Sequence, residues 1–269
     1  MVTSQKISAF RKKILSYYQQ HGRDLPWRKT KNPYHTFISE IMLQQTQVDR
    51  VIPKYLAFIT AFPTFEKLAK ASLGDVLKRW VGLGYNRRAK FLKLAAEIIV
   101  SHYNGKLPSD PELLKELPGI GPATAASLAA FAYNKPTVFL ETNVRSVLIH
   151  HFFPKQEKVT DTELLVLAEK TLDKKNPARW YNAIMDYGTM LKKTENHTRK
   201  STTYAKQSKF KGSDREIRGK IIRELSRGPK VKTVLIKKIA TEKIRTEKIL
   251  SSLIKEHLII VRGQILSLD

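Results

Sequence analysis

A short turn with two glycines, Pro118-Gly119-Ile120-Gly121-Pro122, constrains the fold of this chain more than any other stretch. Leucines before the turn and alanines after it recur at helical spacing, over 113–117 and 125–129. Glycine allows a sharp turn and a close approach of another surface, and proline suits the first position of a helix. The free N–H groups at such a helix start attract phosphate. The pattern predicts either a phosphate-binding helical hairpin or an ordinary helical corner.

Helical spacing also dominates the rest of the first 190 residues. Almost no segment before residue 258 alternates with a period of two, so we predict an all-α fold for this part. A second glycine turn, Gly82-Leu83-Gly84-Tyr85, separates two of its helices. The predicted helices cover 5–21, 34–45, 47–61, 64–70, 72–79, 86–103, 142–150, 160–173 and 176–192.

The last 77 residues have a different pattern. Residues 193–212 are polar, basic and without apolar periodicity, which predicts a linker or an arm that follows nucleic acid. A capping box, Ser213 to Glu216, starts a new helix, and further helices are predicted at Val234–Ala240 and Thr246–His257. Residues 258–268 then alternate as a hairpin does, and this order is typical of a winged helix, whose third helix enters a DNA groove. The alternative is a small dimerisation or partner-docking module.

These patterns predict three parts. Residues 1–192 form the helical domain, 193–212 the basic linker and 213–269 the winged-helix-like module.

The charge balance narrows the choice of partner. With 49 Lys and Arg against 24 Asp and Glu, the formal net charge is +25, which favours a polyanion and most simply nucleic acid. Solubility or binding to an anionic membrane surface is the alternative explanation of this charge.

There is no cysteine, which excludes disulfides, thiolate nucleophiles and cysteine-ligated clusters. No apolar run is long enough to span a membrane, and the N-terminus lacks a signal peptide, so we expect a soluble intracellular protein without a membrane partner.

Two glutamates stand in unusual places. Glu40 lies among Ile38, Ile41 and Met42, where an ionised carboxylate is costly to bury. Burial raises the pKa of a carboxyl group and suits it to donate a proton, although Glu40 could also face solvent from the polar side of its helix. Glu141 precedes a predicted helix, where the anion is stabilised. It is either an ordinary helix cap or a carboxylate that stabilises a cation, and a protonated acid beside an ionised carboxylate cleaves glycosidic bonds.

Residues 22–192 resemble the helix–hairpin–helix DNA glycosylases of the endonuclease III superfamily, and most of all adenine glycosylases of the MutY type. Five stretches carry this resemblance in order and spacing: LPWRKTKNPYHTFISEIMLQQTQVDRVIPKY, WVGLGYNRRAKFL, LPGIGPATAASL, ETNVRSVL and YNAIMDYGTM.

The resemblance implies two all-α lobes with a cleft that faces DNA, and it implies roles for single residues. Glu40 matches the acid that protonates the departing adenine, and Glu141 occupies the place of the aspartate that stabilises the oxocarbenium-like sugar. Gln45 matches a side chain wedged into the base stack, and Tyr85 a tyrosine near the lesion pair. The matching base pocket consists of Trp27, Arg28, Leu43, Asn143 and Asp186, and the matching DNA contacts are Gln44, Gln45, Thr46, Tyr85, Leu117, Gly119, Gly121, Thr124 and Arg145.

The chain also departs from the family pattern. Glutamate replaces aspartate at 141, and a carboxylate displaced by roughly an ångström can lose about 10²-fold in rate. Ala123 stands where lyase-type relatives carry a Schiff-base lysine. The four-cysteine iron–sulfur loop expected after residue 190 and the C-terminal domain that reads 8-oxoguanine are replaced by the basic segment and the winged-helix-like module.

We therefore expect a monomeric, monofunctional glycosylase of base excision repair without a cofactor or metal. Its expected partner is double-stranded DNA with a damaged or mismatched base, and its leading substrate is adenine mispaired with 8-oxoguanine or guanine. A DNA-binding protein that has lost catalysis is the rival, and a glycosylase for mismatched uracil or thymine is a third hypothesis. In a prokaryotic source the protein would be cytoplasmic and associated with the nucleoid.

Overall fold

The computed structural model describes residues 2–239 and 242–269, and it confirms the predicted helical fold with a small C-terminal sheet. The helices are α1 Ser4–His21, α2 Pro33–Leu43, α3 Val48–Ala61, α4 Phe65–Lys70, α5 Leu73–Trp80, α6 Arg87–Tyr103, α7 Pro111–Lys115, α8 Pro122–Tyr133, α9 Thr142–Phe152, α10 Asp161–Thr171, α11 Pro177–Leu191, α12 Asp214–Leu225, α13 Lys232–Ile239 and α14 Lys243–Lys255. The strands are β1 Lys230–Val231, β2 Ile260–Arg262 and β3 Ile265–Ser267, and short 3-10 helices cover Pro26–Arg28 and His197–Lys200. None of the described helices is long and apolar enough to cross a membrane.

Side-chain caps explain several of the helix starts. The hydroxyl of Thr64 accepts the backbone N–H of Lys67, and that of Ser72 accepts the N–H of Asp75, so α4 and α5 begin one residue after each cap. The helix predicted at 34–45 ends at Leu43 instead, because the backbone of Gln45 is left-handed, with φ 53°. Ala240, the predicted last residue of another helix, lies outside the described residues.

The chain divides into two compact units, each of several segments. The first unit contains Met1–Thr36, Ser109–Lys115 and Ile120–Lys206. In its core, α1 packs on α11, and α11 packs on α9. Phe10 and Ile14 of α1 meet Trp180 and Ile184 of α11 there, and all four side chains are buried. The guanidinium of Arg11 donates to the carbonyls of residues 170–172 and closes the end of α10.

The start of the predicted linker is folded rather than unpatterned. His197 and Thr198 are buried in the short 3-10 helix, and His197 hydrogen-bonds His150 at 3.0 Å. Val159 donates its N–H to the carbonyl of Lys200 and forms an isolated bridge with Ser201. Polar composition hid this packing, because the segment is fixed by hydrogen bonds instead of an apolar face. Residues 192 and 213 as domain limits stay a prediction.

The second unit contains Phe37–Pro108, Glu116–Gly119 and Gln207–Asp269. In it, α4 and α5 pack on α6, and α12 also contacts α5. The antiparallel sheet has the order β1-β3-β2, with Val261 opposite Leu266 and Val231 opposite Ile265. Helices α12 to α14 with this sheet have the element order predicted for a winged helix, and β1 was not predicted.

The predicted capping box at Ser213 is wrong. The Ser213 hydroxyl donates to the carbonyl of Phe210, and the Glu216 carboxylate accepts the N–H of Gly212 at 2.6 Å. The acidic side chain still satisfies a backbone donor near the start of α12, but it uses a neighbouring one.

Arg88 joins two loops of the second unit. Its buried guanidinium donates to the carbonyls of Ile41, Met42 and Gln44 at 2.6–2.9 Å, which satisfies the carbonyls left over at the end of α2. It also donates to the Thr46 hydroxyl and to two carbonyls of the 82–85 turn. Burial lowers the pKa of Arg88 to about 10, so it remains charged at neutral pH.

We expect Arg88→Met to lower the free energy of unfolding by about 3 kcal/mol, because it leaves several buried carbonyl groups without a donor. The matched control is Arg87→Met, which removes the same charge from the exposed neighbouring position and should stay within about 0.5 kcal/mol. Urea unfolding measures both. Equal losses would show that the Arg88 hydrogen bonds do not hold these loops.

Candidate active site

Glu40 lies near the end of α2, in the second unit. Its neighbours Ile38, Ile41 and Met42 are buried, and Glu40 itself is half-buried. The side chain is therefore neither enclosed in the core nor fully exposed on a polar face. This partial burial beside buried apolar neighbours is the setting in which the pKa of a carboxyl group can rise.

The loop that follows α2 presents its side chains outward. Gln45 is exposed and left-handed, whereas Gln44 and Thr46 are half-buried. Tyr85 also has a left-handed backbone, with φ 47°, and its phenol oxygen accepts hydrogen bonds from Gln207 and from Arg215, the latter at 2.9 Å. The structure thus brings four of the predicted DNA contacts into two adjoining loops, both fixed by Arg88.

Glu141 is the N-cap of α9, in the first unit. Its Oε2 accepts the backbone N–H of Asn143 at 2.8 Å, as the simple cap interpretation predicted. Burial raises the pKa of Glu141, although the Asn143 N–H and the charges of Lys192 and Arg145 act in the opposite direction. The net direction differs from the expected stabilisation of the anion, because desolvation outweighs the helix cap.

Asp186 is at the centre of an ion-pair network instead of an open base pocket. Arg28 binds both of its carboxylate oxygens at 2.8 Å, and Arg23 adds its backbone N–H and its guanidinium at 2.7–2.8 Å. Burial would raise the pKa of Asp186, but these donors and charges outweigh it and hold that pKa below its ordinary value. A base contact by Arg28 or Asp186 stays a prediction, and their observed role is structural.

The remaining predicted pocket residues lie in different surroundings. Trp27 is buried in the first short 3-10 helix, and Asn143 is half-buried near the start of α9. In the second unit, Leu43 is half-buried at the end of α2. Arg145, a predicted DNA contact, binds Asp161 through two nitrogens and the carbonyl at residue 140 through a third, so its described contacts fix the backbone before Glu141.

The hairpin exposes its backbone more than its side chains. Leu117 is buried, so its side chain is not available to a ligand. Gly119 is exposed with φ +78°, and an added Cβ would lie 3.0 Å from the Cβ of Phe91, so the turn requires glycine here. Gly121 is exposed immediately before α8, and Thr124 is half-buried in its first turn. This is the predicted form of a helix start that can receive a phosphate.

Comparisons with known proteins identify the family. A model described as "HhH-GPD superfamily base excision DNA repair protein" matches residues 38–170. The adenine DNA glycosylase of Mycolicibacterium smegmatis is 34% identical over 227 residues, which cover 78% of this chain and 78% of that protein. The chain belongs to the HhH-GPD superfamily of base excision DNA repair proteins.

Two further comparisons agree with this. The adenine DNA glycosylase of Buchnera aphidicola subsp. Baizongia pistaciae is 37% identical over 187 residues, which cover 68% of this chain. The chain spans about half of that relative, 52%. The solved structure of a thermostable thymine-DNA glycosylase has a TM-score of 0.62 at 26% identity, over 69% of this chain and 87% of that one. The predicted resemblance to helix–hairpin–helix glycosylases is confirmed.

The iron–sulfur cluster that the family resemblance implies does not fit this member. Such a cluster needs cysteine thiolates, and the sequence contains no cysteine. In the place of the cluster loop, His197 is buried against His150, and Thr203 donates its hydroxyl to Asp161. These contacts fix the segment by other means. No group of three or more metal-ligating side chains was found among residues 2–239 and 242–269.

Several residues that shape the HhH-GPD site were missed at the sequence level. Arg88 and Arg23 had no distinguishing signal, because an arginine in a basic chain is ordinarily on the surface. Gly188 was also missed: it brings α11 against α9, and a Cβ there would lie 2.7 Å from the Cβ of Asn143 and 2.8 Å from its carbonyl oxygen. A glycine inside a helical pattern was the available signal.

We expect Gly188→Ala to lower the free energy of unfolding by about 1–3 kcal/mol, because the start of α9 must move away from the new methyl group. Gly219→Ala, in α12, is the control: nothing lies within 4 Å of an added Cβ, and alanine favours a helix. Denaturant unfolding of the two variants tests this close approach. If Gly188→Ala were as stable as the control, α9 and α11 would not be in tight contact there.

Proposed function

We propose that this protein is a monofunctional DNA glycosylase of base excision repair that removes adenine mispaired with 8-oxoguanine or guanine. The observation that carries the proposal is the 34% identity to an adenine DNA glycosylase over 78% of both chains. The half-buried Glu40 in the matched range and the capping Glu141 are consistent with it.

In the proposed reaction, the target nucleotide leaves the base stack so that Glu40 can reach the base. The Glu40 carboxyl donates its proton to a base nitrogen, the C1′–N bond breaks, and its electron pair leaves with the base. The sugar becomes oxocarbenium-like, and the ionised Glu141 carboxylate stabilises the positive charge and orients the incoming water. Glu40 and Glu141 belong to different units, so their action as a pair is part of the proposal.

The absence of lyase activity belongs to the same proposal. A lyase forms a Schiff base through an amine, whereas position 123 in the first turn of α8 is an exposed alanine. Hydrolysis alone leaves an intact abasic strand, which breaks only after alkali treatment.

The proposed partner is double-stranded DNA, bound by a monomer inside the cell without a cofactor. The exposed backbone at Gly119 and Gly121 suits phosphate oxygens, and the net charge of +25 strengthens binding at low salt. The module formed by α12–α14 and the sheet adds a second DNA-binding element.

A second candidate is excision of thymine or uracil from a mismatch. The observation that favours it is the 26% identity to the thymine-DNA glycosylase structure, which covers 87% of that chain. The rival hypothesis of a DNA-binding protein without catalysis rests on Glu141, because its longer side chain displaces the carboxylate relative to an aspartate.

A single-turnover assay tests these hypotheses. Duplexes carry adenine opposite 8-oxoguanine, guanine or cytosine, or a thymine or uracil mismatch. We expect strand breaks in the duplexes that carry adenine, and only after alkali treatment. Breaks without alkali would contradict the monofunctional mechanism, breaks at thymine or uracil would favour the second candidate, and binding without cleavage would favour the rival.

In the same assay, Glu40→Gln should abolish cleavage and leave duplex affinity nearly unchanged, because glutamine has a similar shape but no proton to donate. Glu157→Gln is the control for the loss of one carboxylate, since Glu157 is exposed and outside the site. A parallel loss of cleavage and affinity in Glu40→Gln would make Glu40 structural instead of catalytic.

The cleavage rate should fall at acidic pH, because Glu141 must be ionised to stabilise the cation. Its raised pKa places this decline at a higher pH than an ordinary glutamate would. Lys192→Met should move the decline to still higher pH, because the charge of Lys192 lowers that pKa. Lys193→Met, at the adjacent exposed position, is the control. If both variants gave identical single-turnover pH profiles, the fall in cleavage rate at acidic pH would not be caused by protonation of Glu141.

A further inference from the structure

The stretch of chain that leads to Glu141 is held by side chains rather than by a sheet. Between the C-cap of α8 and the start of α9 it forms neither a helix nor a strand. The phenol oxygen of Tyr181 accepts the backbone N–H of Phe139 at 3.3 Å, and the two rings stack with their centroids 3.9 Å apart. The carbonyl of Leu140 accepts a hydrogen bond from Arg145 at 2.9 Å. The position of the Glu141 backbone therefore depends on these side-chain contacts.

Arg145 binds on two sides of its guanidinium plane. Nη1 donates to the Leu140 carbonyl, while Nε and Nη2 donate to the two carboxylate oxygens of Asp161 at 2.9 and 2.7 Å. A planar group bound through three nitrogens has a fixed orientation. The Arg145 and Asp161 side chains are 23% and 30% exposed, so water screens this ion pair only in part. The carboxylate of Asp161 therefore directs Arg145 toward the carbonyl.

Asp161 is itself fixed from two directions. It is the first residue of α10, whose start is closed by a reciprocal capping box. From the segment after α11, the hydroxyl of Thr203 donates to the Asp161 carboxylate at 3.2 Å. The N–H of Thr202 donates to the carbonyl of Val159 at 3.0 Å and holds that segment beside the helix start. Asp161 is therefore a firm support for the Arg145 side chain.

The ionisation of this pair favours an effect through geometry. The hydrogen bonds and charge of Arg145 hold the pKa of Asp161 below its ordinary value, so Asp161 is an anion at neutral pH and offsets the arginine charge. Of the groups that lower the pKa of Glu141, Arg145 has the smallest effect. Position matters here, because a glutamate carries its carboxylate one methylene farther from the backbone than an aspartate, and a displacement of roughly an ångström can cost about 10²-fold in rate.

We propose that Asp161 is a positioning residue for the chemical step: through Arg145 it fixes the peptide group before Glu141, so that the longer carboxylate of this chain reaches the sugar. The inference rests on the proposed role of Glu141 and adds to it a residue outside the site. Asp161 touches neither the base nor the sugar in this proposal, and it acts only through Arg145.

The isosteric variant Asp161→Asn of the full-length protein tests this role. It leaves Arg145 one amide oxygen in place of two carboxylate oxygens, so single-turnover cleavage should fall about tenfold. Affinity for a duplex with 2′-fluorodeoxyadenosine, whose fluorine slows cleavage, should stay nearly unchanged, because a carboxylate does not bind phosphate. Glu163→Gln is the matched control: it removes a carboxylate from the same first turn, keeps an oxygen for the capping box, and should cleave as the wild type does.

Arg145→Lys separates geometry from charge. Lysine keeps the charge but offers a single nitrogen, which cannot hold the carbonyl and the carboxylate in the same way. Its cleavage rate should fall at least as far as that of Asp161→Asn. The double variant should be no slower than Arg145→Lys, because both changes break the same connection. A full rate in Arg145→Lys, or losses that add in the double variant, would overturn the inference.

A second measurement does not require catalysis. The backbone N–H of Asn143 donates to the Glu141 carboxylate at 2.8 Å, so its hydrogen-exchange rate, measured by NMR, reports how firmly that carboxylate is held. Asp161→Asn should raise this rate about tenfold, whereas Glu163→Gln should leave it as in the wild type. Urea unfolding of both variants shows whether a general loss of stability is responsible.

The outcomes separate this inference from the proposed function. If the wild type cleaves, Glu141→Gln does not, and Asp161→Asn cleaves like Glu163→Gln, the inference fails while the proposed function stands. If no duplex is cleaved, the proposed function fails, and the exchange rate still decides: a rise confined to Asp161→Asn supports the positioning, and an unchanged rate overturns it. Equal losses of cleavage, affinity and stability in Asp161→Asn would make the residue merely structural and would also overturn the inference.

Discussion

The buried guanidinium of Arg88 is the interaction on which the site of the second unit depends. It takes up carbonyls at the end of α2 and in the 82–85 turn, and these are the groups that a helix end and a tight turn leave without donors. A neutral side chain could not satisfy so many acceptors at once. Since Gln45 and Tyr85 have left-handed backbones in these same loops, one cation stabilises both unusual conformations.

The pKa values of two carboxylates of the first unit, Asp186 and Glu141, shift in opposite directions. Asp186 is buried, but two arginines surround it and keep the pKa low, which makes it a permanent anion that fixes the loop before α2. Glu141 is opposed by backbone donors at Thr142 and Asn143 and by the charges of Lys192 and Arg145, and burial still prevails and raises its pKa. A carboxylate whose pKa is shifted by burial is a candidate for a chemical step, whereas a fully paired one is suited to holding structure.

Most of the helical fold could be predicted from the sequence, because apolar spacing and short polar caps determine where helices form. The features that the sequence did not predict are held by polar contacts. Residues 193–203 have no apolar face, so their packing through His197 and Ser201 was not foreseen. The helices that carry the motif residues were predicted, but Arg28, Arg145 and Asp186 make internal ion pairs that no spacing reveals. Pairing of charges depends on segments far apart in the chain, and sequence patterns report only local order.

The segmented first unit has a consequence for how the chain folds. The apolar face of α1, with Phe10 and Ile14, is buried by helices that follow more than 120 residues later. During synthesis that face remains uncovered until α9 and α11 have emerged, and closing so long a loop slows assembly. Helices α2–α6 of the second unit can pack earlier, because they are contiguous in sequence. Until α9 and α11 are made, the exposed apolar face of α1 is a site where chaperones can bind or aggregation can begin.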